Sequence, residues 1–510
     1  MEVLILKDTF RLNSRGHYDT DFSFLKGGSG FPSAEVRGRN RVYRWRHKQY
    51  TGEYGLNKNL ICSINNVETD IPYEVLTLNY FKLLSNKMTD LVMNNEISIK
   101  TGDVKRDKQI YELIENTNWR DSIRSAFKMC TEYGDVCIKT YKNGASAFSP
   151  IHCFKVVDIS DVNKVLGYVL YEPIYKKIGN ESKINYIRFE IHLKGKIYEC
   201  VKDYIGHMAG GTLGNNVSIN YRGRLIPKEG LWYDTGIDDC ELIQWGSINT
   251  EVDGVYGESV YQDIQDVVFA IEQRVSVNMH LLNNSMTPFI VVGADMIETV
   301  VTESGNEERR LKLINGKYMV SAGDQGVKSV ELNYNLTNSE NMIDMLLGFM
   351  YELSEMGKTF LSGEYSGNIS EETLTNTIKS AIDKGNRLLT ELYYTFRDSL
   401  YCLCRLNGID VKKSDITIIF NVGRTDDDLK VSQICETLSN NKILSRRSIR
   451  EKYFGMNSDQ SDAEEMYIKA ENSEPNSSIN TNDNDFVDTN KELGDTENNK
   501  NNMEDNNYED

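Results

Sequence analysis

GESVYQDIQDVVFAIEQRVSVNMHLL, residues 257–282, sets Val260, Ile264, Val268, Ile271, Val275, Met279 and Leu282 at intervals of three and four. That spacing is one apolar face of a 3.6-residue helix, and such a face needs something to pack on. Downstream, Thr337-x-x-Glu340 reads as a capping box. It opens a second helix with Met342, Leu346, Phe349, Met350, Leu353 and Met356 on one side and Gly357 as its stop. A third and longest helix follows Ser370, repeats Leu374, Ile378, Ile382, Leu389, Leu392, Phe396, Leu400 and Leu403, and stops at Gly408. Three such helices make a rigid frame. What lies between them, Pro288 to Asn335 and Lys358 to Ile369, is expected at the frame's two ends. The first of these stretches carries FIVVGA, ETVVTE, RRLKLI and KYMVSA, short strands with turns at Gly305-Asn306 and Asn315-Gly316.

Upstream, residues 1–36 turn Gly/Ser-rich at Lys26-Gly27-Gly28-Ser29-Gly30 and read as a flexible arm. RGRNRVYRWRHKQYTGEY, residues 37–54, interleaves basic and aromatic side chains. Two readings stay open for it. One is a patch that touches phosphates or a neighbouring subunit's acidic surface; the other is an amphipathic segment with Val42, Trp45 and Tyr50 packed inward. Pro72 to Met93 and Asp107 to Thr131 repeat apolar residues at helical spacing, the second with a kink near Asn118, and Gly134 breaks the pattern. Strands then dominate: DVCIKTY, FKVVDIS, KVLGYVLYEPIY, NYIRFEIHLKG, KIYECVKDYIG and ELIQW alternate between Asn/Gly/Asp turns. The fold class is therefore α+β, helices first and an antiparallel sheet after them. ITIIFN, residues 416–421, is one more strand, suited to rejoin that sheet. Beyond Asp426 come short helices: one from Val431, Ile434, Leu438 and Leu444, one capped by Ser445, and one starting at Ser461.

A chain of 510 residues has room for several domain-sized units. Its net charge of −18 argues against a protein that coats nucleic acid, which needs a surplus of Lys and Arg. The last 38 residues, Ser473 to Asp510, hold 11 acidic side chains against Lys491 and Lys500, and so carry half of that charge. They hold too little apolar surface to offset chain entropy and are expected to be disordered. The nine cysteines are scattered without a CxxC and read as reduced thiols. No apolar run is long enough to span a membrane.

Chemistry is scarce. The six histidines, His152 and His280 among them, fall at no metal-ligand spacing, and there is no GxSxG and no GxGxxG after a strand. Gly357-Lys358-Thr359 imitates the end of a P-loop, but Glu352 stands where the first glycine belongs and a helix, not a strand, precedes it. No enzyme activity, cofactor or metal is indicated. Long amphipathic helices joined by Gly/Ser/Lys loops suit instead a ring in which helices line an axis.

The residues resemble the portal proteins of tailed double-stranded DNA bacteriophages, in the form found in long-tailed phages of Firmicutes. The resemblance rests on YFKLLSNKMTDLVM, AFKMCTEYGDVCIKTYKNG, GVYGESVYQDIQDVVFAIEQRVSVNMHLLNNSMTPFIVV, GEYSGNISEETLTNTIKSAIDKGNRLLTELYYTFRDSL and ILSRRSIREKYFG in that order, within Pro72 to Asn472. It implies a dodecameric ring at one capsid vertex, assembled in the host cytoplasm and carried into the virion. That ring would conduct DNA in and out and dock the terminase large subunit, a head-completion or adaptor protein, and the major capsid and scaffolding proteins. It also implies a wing at 37–250, a stem helix at 251–287, a clip at 288–335, a second stem helix at 336–357 and a tunnel loop at 358–370. A long wing helix with a returning strand would occupy 371–425 and a helical crown 426–472, with the arm 1–36 and the tail 473–510 outside. A channel that lets DNA slide needs few firm phosphate contacts. Lys358, Thr359, Ser362, Lys379 and Lys384 are the expected DNA-facing residues, and Arg309, Arg310 and Lys312 the expected basic ring of the clip, facing motor or connector. Two competing readings are a capsid or baseplate component that never contacts DNA, and a nucleotidyl or ADP-ribosyl transferase, for which no motif exists.

Overall fold

The computed structural model describes residues 22–54, 59–64, 67–72, 76–95, 97–158, 164–178, 181–207, 210–250, 256–285, 336–362, 378–422, 439, 445–453, 456 and 458–473. It adds strand backbone at six places between 289 and 330. The chain divides into two units, Met1–Glu436 and Thr437–Asp510.

The first unit is α+β. Its large sheet is antiparallel, in the order Gly30–Phe31, Gly210–Asn216, Lys196–His207, Glu181–Leu193, Val165–Ile178, Cys153–Val157, with Leu231–Asp234 also paired to Lys196–His207. Period-two alternation puts Phe154, Val169, Tyr171, Phe189 and Ile191 on one face, where they bury Phe24, Phe31 and Val36. The arm therefore needs correcting. Residues 22–36 are part of this core: Gly30 pairs with Thr212 and Phe31 with Gly211, and the Phe31 ring meets Phe189 edge-on at 4.9 Å. Of the expected arm, only residues 1–21 lie outside the described residues.

A second sheet, Ile243–Ser247, Asp135–Tyr141, Gly144–Phe148, lies against the Lys379–Leu406 helix; Gly246 is so close that a Cβ there would meet the Leu392 side chain at 2.6 Å. The main apolar core joins Phe81, Leu84 and Met88 of helix Tyr80–Met93, Ile123 and Phe127 of Trp119–Tyr133, and Leu388, Leu392, Phe396 and Leu400 of the long helix. The Trp119 indole donates to Ser399 Oγ at 3.3 Å.

Several expected boundaries move, each for a local reason. The stretch from Asp107 is two helices, Val104–Glu115 and Trp119–Tyr133, separated at Asn116 to Asn118 rather than kinked. Helix Tyr80–Met93 starts eight residues later than the apolar pattern suggested, because Val67–Pro72 is a strand paired with Asn59–Ile64. Thr417–Phe420 does not rejoin the large sheet; it pairs with Ile97–Lys100. Cys240 and Cys402, expected as free thiols, are joined in a disulfide, whereas Cys130, Cys137, Cys153, Cys200 and Cys404 are free and buried.

In the second unit Arg446–Tyr453 is capped by Ser445, whose Oγ accepts from the Ser448 N–H at 3.1 Å. The next helix is Ser458–Ser473, so Ser461 lies within it and accepts from Arg450 Nε at 3.1 Å. Arg450 also pairs with Glu465 and Arg447 with Asp462. The expected helix through Val431 and Leu444 and the tail beyond Ser473 lie outside the described residues. No described helix is long and apolar enough to cross a membrane.

Candidate functional site

Asp135 organises the ground from which the paired helices leave the body. It opens its strand directly after Gly134, which sits in the left-handed region at φ 84°. Its buried carboxylate accepts from Arg39 Nη2 (2.9 Å), Tyr43 Oη (2.6 Å), Ser247 Oγ (2.6 Å) and the Gly257 N–H (2.9 Å). With the Trp245 indole N–H at 3.3 Å, five donors offset the desolvation that burying a charge costs. Beside it, Arg46 donates to Tyr133 O and, at 3.1 Å, to Gly257 O, and burial lowers its pKa from the ordinary value. Gly134 and Gly257 cross back to back. A Cβ on Gly257 would fall inside contact distance of the Gly134 and Ile248 carbonyls, so a side chain does not fit at this crossing.

Arg39, Tyr43 and Arg46 belong to helix Ala34–Thr51, and they reverse the inward face expected for it. Glu35, Val36, Arg39, Asn40, Tyr43, Arg46 and Gln49 are buried, while Val42, Trp45 and Tyr50 are only half-buried. The polar residues fall at intervals of three and four, as a core stripe does. Without Asp135 known as the partner of Arg39, and the Tyr133 and Gly257 carbonyls as those of Arg46, two arginines do not look like core.

The first of the paired helices is Gln265–Ser285. It begins eight residues after the expected Gly257, since Val260 to Ile264 reach the core as a turn segment. Glu272 on this helix is buried and accepts from Tyr54 Oη (2.5 Å) and the Leu78 N–H (2.8 Å), while Ser276 Oγ accepts from the Leu76 N–H (2.9 Å). Burial raises the pKa of Glu272, against the pull of Tyr54. The second helix, Thr337–Leu353, is tied to the first by Ser339 Oγ donating to Asn278 Oδ1 at 2.7 Å. Its first helical residue is Thr337 and its N-cap position is Leu336, with no side-chain cap hydrogen bond there, so the expected capping box does not form. Its apolar residues divide. Met350 is buried, but Met342, Met345, Phe349 and Leu353 are 36%, 47%, 45% and 49% exposed, and Met279 and Leu282 of the first helix are exposed too.

The second helix ends at a joint. Glu355, not the expected Gly357, makes the first left-handed turn (φ 58°), with Gly357 following at φ 69°. Glu355 is an unfavourable residue there. Arg387 of the long helix holds its carboxylate with two hydrogen bonds, 2.7 and 3.1 Å, and Lys384 Nζ donates to Ser354 O at 2.9 Å. Met356 is fully buried below. Lys384, expected to face DNA, is thus buried under the joint, with burial lowering its pKa. Its charge serves a helix C-terminus, where the unpaired carbonyls carry partial negative charge. Arg387 and Glu355, absent from the expected residues, complete this clamp.

The short helix Lys358–Ser362 follows, with Lys358 and Ser362 exposed and Thr359 half-buried; Lys379, the first residue of the long helix, is exposed. The rest of the expected tunnel loop, 363–370, lies outside the described residues. In the region expected as the clip, Glu307–Leu311 pairs antiparallel with Ile297–Val301, placing Arg309 opposite Thr299 and Arg310 opposite Glu298; Lys312 lies outside the described residues.

No curated protein matches this chain. Among solved structures, the neck of a native GTA particle computed with C12 symmetry matches at TM-score 0.36 and 9% identity, over 72% of this chain and 87% of that one. The neck of an empty GTA particle computed with C6 symmetry matches at 0.39 and 8%, over 80% and 92%. Residues 39–477 match the family described as phage portal protein, SPP1 Gp6-like. With most of its length inside that match, the chain belongs to the SPP1 Gp6-like family of phage portal proteins.

Proposed function

We propose that copies of this chain form a dodecameric ring at one vertex of the capsid, through which double-stranded DNA is packaged and later ejected. The observation that carries this reading is the family match across residues 39–477. The exposed row Met342, Met345, Phe349 and Leu353 supports it, because contiguous apolar surface on a helix is stabilised by another surface, and a ring supplies a second copy of the same chain. In this reading the paired helices are the stem and Lys358, Thr359, Ser362 and Lys379 face the DNA. The strands between 289 and 330 form the clip, with Arg309, Arg310 and Lys312 toward the motor or connector. The terminase large subunit, a head-completion protein and the capsid and scaffolding proteins are its partners, and the virion is its place.

The experiment is native mass spectrometry of the purified full chain, with image class averages viewed down the particle axis. A closed ring with a central hole is the expected result. A monomer at every salt concentration, together with particles that package DNA normally when Lys358→Ala is combined with removal of residues 360–367, would overturn the conduit and favour a capsid or baseplate component.

A further inference from the structure

Helix Ala34–Thr51 turns two different faces to its surroundings. Its inward face is spent on the interior, Arg39 and Tyr43 on Asp135 and Arg46 on the Tyr133 and Gly257 carbonyls. Its outward face carries Arg37, Arg41, Arg44 and Lys48, all exposed. At 3.6 residues per turn these four fall within an arc of about 60°, and at 1.5 Å per residue they span about 16 Å. The row does not end with the helix. Half-buried Tyr50 has Lys128 Nζ 5.7 Å and Lys82 Nζ 6.0 Å from its ring centroid, and both lysines are exposed. None of the six cations forms an ion pair among the described residues. Elsewhere in the body several exposed arginines are matched: Arg124 by Asp90, Arg387 by Glu355, Arg222 by Glu172.

We propose that this ridge, Arg37, Arg41, Arg44 and Lys48 with Lys82 and Lys128, is a binding surface for the phosphate backbone of double-stranded nucleic acid, separate from the DNA contacts proposed at Lys358, Thr359, Ser362 and Lys379. The chain's net charge of −18 does not prevent it. At physiological salt the screening length is about 8 Å, so the potential at the ridge is set by the charges beside it. The shape favours a duplex over an acidic protein. Duplex DNA carries one negative charge per about 3.4 Å along each strand, so the length of the row spans about five phosphates of a strand without need of exact register. A protein partner would be expected to bury an apolar centre, and no large apolar residue of this helix is exposed.

The test is fluorescence anisotropy of the full-length protein with a labelled 30-base-pair duplex between 50 and 300 mM salt, compared with the variant Arg37→Ala/Arg41→Ala/Arg44→Ala/Lys48→Ala. The slope of log K against log salt is expected to become shallower by about 3 to 4, near 0.9 for each lost phosphate contact. Affinity near 100 mM salt should fall by at least a hundredfold. The all-lysine variant at Arg37, Arg41 and Arg44 keeps the charge and should keep the slope, which separates charge from folding. An unchanged slope in the alanine variant overturns the proposal, since binding then resides elsewhere. So does a protein that ignores the duplex yet binds poly-L-glutamate through the same four residues, which would make the ridge a protein-docking surface. Neither result bears on the ring, which is read by mass.

Discussion

The body and the paired helices treat polarity in opposite ways. In the body, Arg39, Arg46 and Asp135 are buried and hydrogen-bonded, so that charge serves as core. On Thr337–Leu353, four large apolar residues stand in solvent. A buried charge held by several hydrogen bonds marks a region finished within one chain. An exposed apolar row marks one that a second surface completes.

The comparison breaks most sharply at Asp135. Asp135→Ala leaves Arg39 buried beside a hole and removes acceptors from Tyr43, Ser247 and the Gly257 N–H. Removing one partner of a buried pair costs about 3–5 kcal/mol. Urea unfolding of the assembly-deficient monomer should show a drop of that size; a loss under 1 kcal/mol would mean that water, not the carboxylate, satisfies the arginine.

The opposite outcome is expected on the helix pair. Met345→Asp with Phe349→Asp places two charges where the single chain already meets solvent, so monomer stability should move by no more than about 0.5 kcal/mol. Oligomers, in contrast, should disappear from native mass spectra. A variant that unfolds instead would show that these side chains complete the chain's own core.

The sequence made one half of this contrast legible and hid the other. Helical spacing of Ile264, Val268 and Ile271, and of Leu389, Leu392 and Phe396, located the long helices because water-driven burial leaves a period in the chain. The same pattern included Met342, Phe349 and Leu353 without distinguishing burial within the chain from exposure for a partner; periodicity reports a face and not its occupant. The hub around Asp135 was missed because its pieces lie far apart along the chain, between Arg39 and Gly257, and each looks like a surface residue. Lys384 was misread for the same reason. A lysine looks solvated until a carbonyl such as that of Ser354 is known to sit above it.

The joint lies between the two regimes, and its expected effects are smaller. Lys384→Met loses one charge-assisted bond to Ser354 O but also a desolvated charge, for a net local cost of about 1–2 kcal/mol. Amide exchange should quicken in Ser354 to Ser362 and stay slow at Asp135. Glu355→Gly relieves the left-handed strain while losing an exposed pair with Arg387, and should be within about 1 kcal/mol of neutral. If Glu355→Gly speeds exchange as much as Lys384→Met does, the Arg387 pair, rather than the buried lysine, holds the joint.

Glu241 offers the finest test, because it is a carboxylate of the body treated unlike Asp135. It faces a cavity of about 460 Å³ lined also by Tyr168, Lys194, Trp245, Asp398 and Lys413, and its carboxylate accepts no hydrogen bond among the described residues. Burial pushes its pKa from 4.5 up to about 7, against the pull of Lys194 and Lys413. Between those values the folded chain keeps a proton that the unfolded chain has released, so stability should fall as pH rises from 4.5 to 7. Partial exposure screens the effect to about 1 kcal/mol. Glu241→Gln should flatten the profile by that amount when melts are compared at pH 5 and 7.5. An unflattened profile would move the pH dependence to Glu272 and Glu132, whose pKa values burial also raises. In that case the body's exception to well-partnered charge would lie at its junction with the paired helices, and not at the cavity.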